Sequence, residues 1–271
     1  MNVAQCLKRG EVLGLPRLEA QILLLHALKR AVHDRAWLLA HDTDVLGPQH
    51  IDEFEALVQR RLQHEPVAYI VGRKEFFGLS LQIDKRVLDP RDDTEILVEW
   101  ALAQSASFKA PRFLDLGTGS GAIALALQSQ RSESSVTAID ASPDALIVAS
   151  HNAAALGLPV VFQESHWFAQ VRGEFDVIVS NPPYIDAQDP HLDRLQHEPL
   201  AALVSDEAGL KDIRNIVQNA QAHLVTGGWL LIEHGWQQAA QVRALLAGAG
   251  FQQVQSRLDL AGIERCSGGQ K

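Results

Sequence analysis

The stretch Phe113-Leu114-Asp115-Leu116-Gly117-Thr118-Gly119-Ser120-Gly121 decides the fold. A short apolar run of strand type ends in three glycines at alternate positions, and an apolar helical pattern begins at Ala122. Glycine lacks a Cβ, so this loop can turn tightly and let a ligand reach its backbone. Roughly twenty residues on, the run Val136 to Ile139 ends in Asp140, whose carboxylate can accept both hydroxyls of a ribose. Strand, loop, helix, strand and acid in this order predict a nucleoside site at the carboxyl ends of parallel strands.

Outward from this loop the rhythm stays strand-then-helix. Phe113 to Leu116, Val136 to Ile139, Val160 to Phe162, Val177 to Val179 and Trp229 to Ile232 are short apolar runs, which predicts an α/β fold with a largely parallel sheet covered on both faces. Ser142-Pro143 supplies an N-cap and a first-turn proline for the helix after the second strand. Gly248-Ala249-Gly250 stops a helix, and Phe251 to Leu260 reads as a late strand pairing antiparallel at the sheet edge. Upstream, Val3 to Gln63 is helical, with Leu18, Ile22, Leu25 and Leu28, then Ile51, Phe54, Leu57 and Val58, at three- and four-residue steps. Between Glu75 and Leu88 apolar residues alternate roughly with polar ones, as in a hairpin. The predicted organisation is a helical bundle over residues 1–73, a hairpin linker over 74–90 and an α/β domain over 91–271.

The 271 residues and 46% apolar content suffice for one large domain with a small companion. A formal net charge of −9 disfavours non-specific attraction to DNA or rRNA, and Arg60, Arg61, Arg73 and Lys74 read as a solvated helix end and linker face. Cys6 and Cys266 match no metal spacing or disulfide framework, and the eleven histidines form no ligand cluster, so no metal is expected. His234 reads as a local hydrogen bonder. No run approaches the ~20 apolar residues of a membrane span and the start lacks a signal-peptide pattern, so a cytoplasmic protein is expected.

The glycine loop alone leaves the nucleoside open. Gly117, Gly119 and Ala122 satisfy the G-x-G-x-x-A dinucleotide pattern, whereas Asp115-x-Gly117-x-Gly119-x-Gly121 resembles the first motif of methyltransferases. A second stretch separates the two. Phe175 to Ser180 has a strand pattern and ends in Asn181-Pro182-Pro183-Tyr184, at the same sheet edge as the glycine loop. An amide nitrogen is a poor nucleophile, and a methyl acceptor of that kind must be oriented and polarised. The Asn181 side-chain oxygen and the Pro182 carbonyl can take its two N–H groups, and Tyr184 can stack on the flat amide. Hydride transfer has no use for this tetrapeptide.

These motifs resemble the amino-methyltransferases acting on DNA adenine, guanine N2 and protein glutamine. Asn181 to Asp186, Asp189-Pro190-His191-Leu192, Glu198-Pro199-Leu200, Glu233-His234-Gly235-Trp236 and Pro90-Arg91 with Thr94-Glu95 are similar to the release factor glutamine methyltransferase (HemK/PrmC) family, over essentially the whole chain. The resemblance implies a Rossmann-like, seven-stranded class I methyltransferase sheet, S-adenosylmethionine as donor and S-adenosylhomocysteine as product. It also implies, as substrate, the glutamine of the Gly-Gly-Gln loop of class I release factors, methylated at N5. Cofactor positions by this likeness are Asp115, Gly117, Thr118, Gly119, Ser120, Gly121, Asp140, Trp167 and Asn181. Acceptor positions are Asn181, Pro182, Pro183 and Tyr184, with Asn181, Pro182 and Tyr184 catalytic and the bundle recognising the substrate. A monomer without membrane or direct nucleic-acid partner is expected.

Three departures stand out. Asp89 and Asp92 flank Pro90-Arg91 where the family has an apolar residue and a proline, which predicts a more flexible, more acidic linker. His166 replaces an aspartate before Trp167, and Gln196-His197 replace an arginine and an aromatic. Methylation of a ribosomal-protein glutamine, methylation of a nucleic-acid base, and a cofactor binder with decayed catalysis are the competing functions. The chain itself carries Gly268-Gly269-Gln270, read as a chance match.

Overall fold

The computed structural model describes residues 1–271 and divides into two compact units. The first comprises Met1–Arg73 together with Arg194–His197. Its helices are α1 (Val3–Val12), α2 (Arg17–Ala27), α3 (Arg35–Ala40), α4 (Pro48–Leu62) and α5 (Val67–Val71). Asn2 starts α1 with a reciprocal cap, its Oδ1 accepting from the Gln5 N–H at 2.8 Å while Gln5 Oε1 accepts from the Asn2 N–H at 2.9 Å. The core gathers Leu23, Leu24, Phe54 and Val58. In α2 the expected face holds in part: Leu25 is buried and Ile22 and Leu28 are half-buried, whereas Leu18 is exposed, and Ala20, Leu23, Leu24 and Ala27 are buried as well. Both stripes have helical spacing in this apolar helix, and the buried face takes residues from each. Arg61 pairs with Glu19 at 2.7 Å and Arg60 with Glu65, so neither cation is free. The short Arg194–His197 segment joins this unit through His197 Nε2, 2.9 Å from the Gln63 carbonyl.

The second unit comprises Lys74–Asp193 and Glu198–Lys271. A hairpin of β1 (Arg73–Phe76) and β2 (Leu79–Gln82) leads into it, turning at Phe77 and Gly78 with φ of +50° and +74°. Two positive φ values in a two-residue loop match the right-handed twist of the strands. The seven-stranded sheet contains β3 (Arg112–Leu116), β4 (Ser135–Asp140), β5 (Val160–Glu164), β6 (Phe175–Ser180), β7 (Leu224–Glu233), β8 (Gln252–Leu258) and β9 (Glu264–Gln270), in the order β5-β4-β3-β6-β7-β9-β8. Between strands lie α6 (Glu95–Gln104), α7 (Ala122–Gln130), α8 (Pro143–Leu156), the one-turn α9 (Asp206–Gly209), α10 (Lys211–Ala220) and α11 (Ala239–Gly248). The first five strands are parallel, and β6 is buried along its whole length, as expected of a sheet covered on both faces. Ser142 caps α8, its hydroxyl accepting from the Ala145 N–H at 3.2 Å.

The late strand lies at the edge as expected, but its antiparallel partner is β9, inserted between β8 and β7. The segment Glu264–Gln270 is polar and glycine-rich, without apolar alternation. Its glycines are there for space: a Cβ on Gly268 would sit 2.6 Å from the Leu230 carbonyl oxygen.

Register places the functional edge. Ile139, Leu116, Ser180 and Ile232 are in line across β4, β3, β6 and β7. The next residue of each strand therefore also lies in line: Asp140, Gly117, Asn181 and Glu233. Strand order reverses between β3 and β6, the switch point where open α/β sheets bind ligands.

Candidate active site

The glycine loop is fixed from β4. The Gly117 and Thr118 N–H groups both donate to the Ile139 carbonyl at 2.9 Å, and the Gly119 N–H donates to Asp140 Oδ2 at 2.9 Å. The Ser142 N–H donates to Asp140 Oδ1 at 2.9 Å. Each carboxylate oxygen keeps a second lone pair for a ligand. Burial raises the Asp140 pKa, and hydrogen bonds from the Ser142 and Gly119 backbones oppose the rise.

Beside this loop is a cavity of about 480 Å³ lined by Gly117, Gly119, Asp140, Trp167, Asn181 and Pro183, among others. That volume suits a nucleoside with a short chain attached. Trp167 packs toward Gly117, where a Cβ would lie 3.6 Å from the indole. The indole Nε1 donates to Asp212 Oδ1 at 3.0 Å, and Ser205 Oγ donates to Asp212 Oδ2 at 2.6 Å. Asp212 thus orients Trp167. Nothing local in the sequence marks it, since it lies 45 positions away. His166 also faces the cavity, its ring centroid 6.0 Å from that of Trp167 in an edge arrangement.

Asp115, Thr118, Ser120 and Gly121 stand behind the loop and do not line the cavity. Thr118 Oγ1 donates to Asp115 Oδ2 at 2.6 Å, and burial pushes the Asp115 carboxyl up to about 7. Asn152 Nδ2 donates to the Ser120 carbonyl at 2.9 Å. Gly121 has φ +84°, and a Cβ there would lie 3.1 Å from Leu125 and 3.2 Å from Ala149, so its role is close packing of loop on helix.

The second loop leaves β6 next to the first, and Ser180 Oγ ties the two together by donating to the Leu116 carbonyl at 2.8 Å. Asn181 Nδ2 donates to Thr94 Oγ1 at 3.2 Å. Pro182 is buried, and neither it nor Tyr184 lines the cavity. The Tyr184 hydroxyl donates to Glu233 Oε1 at 3.4 Å, its pKa raised by burial and by the Glu233 charge. The Tyr184 carbonyl accepts from Gln238 Nε2 at 3.1 Å. His234 is buried and held at both nitrogens, by the Gly235 carbonyl at 3.0 Å and Ser267 Oγ at 2.7 Å.

The departures are accommodated by charge pairing. Arg91 reaches the buried Glu198 at 2.6 Å and Asp89 at 3.5 Å, and Lys74 meets Asp92 at 2.8 Å. The two extra acids therefore face cations, while burial raises the Asp89 pKa.

Residues 2–72 match the family described as the PrmC N-terminal domain, and residues 89–256 match the methyltransferase small domain. The release factor glutamine methyltransferase of Bordetella pertussis is 48% identical, covering 94% of this chain and 95% of its own. That of Escherichia coli is 43% identical, covering 92% and 90%. A methyltransferase structure from Pyrococcus furiosus superposes with a TM-score of 0.55 at 18% identity, covering 79% of this chain and 96% of that one, and shares the fold. With likeness of this extent to curated relatives along nearly its whole length, the chain belongs to the release factor glutamine methyltransferase family.

Proposed function

We propose that the protein transfers a methyl group from S-adenosylmethionine to the side-chain amide of the glutamine in the Gly-Gly-Gln loop of class I release factors, giving N5-methylglutamine. One observation carries this reading: Asn181 and Pro183 line the same cavity as Gly117, Gly119 and Asp140, so an acceptor loop and a nucleoside cradle share one space.

The residues present fit the donor. Asp140 has lone pairs left for two ribose hydroxyls, and no heavy atom lies within 4 Å of where a Cβ on Gly119 would stand, leaving that backbone approachable. Trp167 offers an aromatic wall, and His166 lines the cavity beside it in place of the family's aspartate. When bound, S-adenosylmethionine supplies an electrophilic methyl on a sulfonium sulfur, which keeps the S–C bonding pair on departure. Asn181 Oδ1 and the Pro182 carbonyl, which belongs to the backbone between the cavity-lining residues Asn181 and Pro183, accept the two amide N–H groups and aim the nitrogen lone pair at that methyl. As the N–C bond forms, positive charge grows on nitrogen against two acceptor dipoles, and one proton then passes from nitrogen to water. Tyr184, set behind the loop, braces it through Glu233.

A net charge of −9 favours a protein over a nucleic-acid acceptor, and the helical unit supplies surface for the rest of that partner, with a monomer working in the cytoplasm. Labelled methyl transfer to purified release factor, ribosomal protein and rRNA in parallel tests the reading. Transfer to release factor alone is expected, abolished when its glutamine is replaced by glutamate. Methylation of that glutamate variant, or of rRNA alone, overturns it.

A further inference from the structure

Trp167, which walls the cavity, stands on strained backbone. Its φ is +48°, in the left-handed region that a bulky side chain avoids. Such a conformation persists only where its surroundings over-determine it. Ser165 and Asp212 do so here. Ser165 Oγ donates to the Trp167 carbonyl at 2.8 Å, and the Ser165 N–H donates to the Asp140 carbonyl at 3.0 Å, which ties this backbone to the end of β4. Asp212, in the first turn of α10, holds the side chain by the indole N–H at 3.0 Å.

A second strained stretch leads up to Asp212. Glu207, Ala208 and Gly209 follow one another with φ of +57°, +55° and +80°, a left-handed turn that only the glycine adopts without penalty. This turn is seated on the Asn181 loop. A Cβ on Gly209 would overlap the Tyr184 carbonyl, and Gln238 Nε2 donates to both the Tyr184 and Ala208 carbonyls, at 3.1 and 3.0 Å. Just before the turn, the Ser205 N–H donates to the Ile185 carbonyl at 3.0 Å. Ser205 to Gly209 therefore fasten the far end of that loop, Tyr184 and Ile185.

Asp212 joins the two stretches. Its N–H donates to Ser205 Oγ at 3.1 Å, its Oδ2 accepts the Ser205 hydroxyl at 2.6 Å, and its Oδ1 accepts from Trp167. A carboxylate only accepts, whereas an indole and a hydroxyl have one hydrogen each to give, so both hydrogens are committed to Asp212. Trp167 is left with its ring alone to offer a ligand. One carboxylate, itself lining the cavity, thus holds the nucleoside wall by one oxygen and the fastening of the Asn181 loop by the other. In-line transfer needs reacting atoms about 3–3.5 Å apart, and a misplacement of about 1 Å can cost a hundredfold, so a shared anchor has leverage on the rate.

We propose that Asp212 is a positioning residue that sets the donor wall and the acceptor loop relative to each other, with Trp167 and Ser205 as its two arms. This role rests on the methyl-transfer reading of the site, and its two arms can be cut separately.

The test uses the full chain. Calorimetry with S-adenosylhomocysteine reads the donor side, and labelled methyl transfer to a class I release factor at saturating S-adenosylmethionine reads the acceptor side. Trp167→Phe keeps an aromatic ring but loses the N–H; it should weaken S-adenosylhomocysteine binding by about tenfold and leave KM for the release factor within about twofold. Ser205→Ala should do the converse, with S-adenosylhomocysteine affinity within about twofold and kcat/KM for the release factor lowered about tenfold. Asp212→Ala should show both losses, and adding either arm variant to it should not deepen the loss on that arm's own side. Independently of activity, the Trp167 indole N–H signal in nuclear magnetic resonance, identified by its absence from Trp167→Phe, should move upfield in Asp212→Ala. Should Asp212→Ala fail to fold, the opposite patterns of Trp167→Phe and Ser205→Ala still decide. Unchanged donor affinity in folded Asp212→Ala, or both arm variants shifting the same constant, overturns the positioning role while leaving the methyl-transfer reading intact. An unaltered protein that binds S-adenosylhomocysteine but does not methylate release factor overturns that reading instead.

Discussion

The glycine loop and the Asn181 loop leave neighbouring strands at the same level, yet they are held in place by different kinds of atoms. Around Gly117 to Gly119 the fastening is backbone: two N–H groups on the Ile139 carbonyl and a third on Asp140, all from the next strand. Around Asn181 to Tyr184 it is side chains from three distant places, Thr94 before α6, Glu233 at the end of β7 and Gln238 before α11. Backbone fastening tolerates most side-chain changes and fails where a Cβ is added. Fastening by side chains behaves in the opposite way, because each link depends on one functional group.

The largest effect that separates the two is expected from Asn181→Ala. Turnover should fall by about a hundredfold or more, since this contact strengthens as charge develops, while calorimetry should find cofactor affinity within a few-fold. Loss of cofactor binding in this variant would merge the two loops into one functional unit and break the contrast.

Asp140→Ala should do the reverse. Affinity for S-adenosylmethionine should drop roughly ten- to a hundredfold, as expected for hydrogen bonds to a charged group worth about 1.5–3 kcal/mol, with turnover at saturation little changed. Because burial raises the pKa of Asp140, binding to the unaltered protein should also weaken on acidification at a pH above the usual carboxylate range.

Gly119→Ala probes the backbone fastening directly. The position is open but has φ +55°, so the cost should be the left-handed backbone penalty of roughly 1–2 kcal/mol, visible as a lowered denaturation midpoint. An unchanged midpoint would show that the loop is free to readjust.

The smallest effect concerns pH. Asp115 and Glu233 both bind protons more tightly folded than unfolded, with native values near 7 against ordinary values of 3.8 and 4.5. Stability from these groups is therefore present at low pH and is lost as pH rises toward and through 7. Between pH 6 and 8, Asp115→Asn should remove about 1.4 kcal/mol of that dependence. A denaturation midpoint equally steep in the variant would show that Asp115 is ionised throughout.

The same contrast explains what could be read in the residues beforehand. A backbone cradle writes itself locally, as glycines at alternate positions with an acid one strand later, and Gly117, Gly119 and Asp140 do reach the cavity. Asn181 was legible for the same reason, as part of a contiguous tetrapeptide ending a strand. Thr94, Glu233 and Asp212 were not identified as site residues, because each contributes one group across 45 to 87 positions and only the sheet register brings them together. Strand β9 escaped because its small residues answer to the closeness of Leu230 rather than to a water-facing and a core-facing side. The buried face of α2 is wider than its expected stripe for a related reason: Leu25 is buried, but so are Ala20, Leu23, Leu24 and Ala27, and only packing decides how far a second apolar stripe is covered.

That same strand contains Gly268-Gly269-Gln270, the tripeptide proposed here as the mark of the acceptor. Gln270 pairs with Trp229, several residues down β7 from Glu233, and its amide is engaged at both ends, Nε2 donating one hydrogen to the Gly227 carbonyl at 2.9 Å and Oε1 accepting from Gln253. A search of a proteome for the three letters alone would return this chain among the candidates, and its fold makes it a false positive. What distinguishes a true substrate is a glutamine whose two amide hydrogens are still unclaimed, so catalogues of targets need a filter for backbone pairing as much as a pattern of letters.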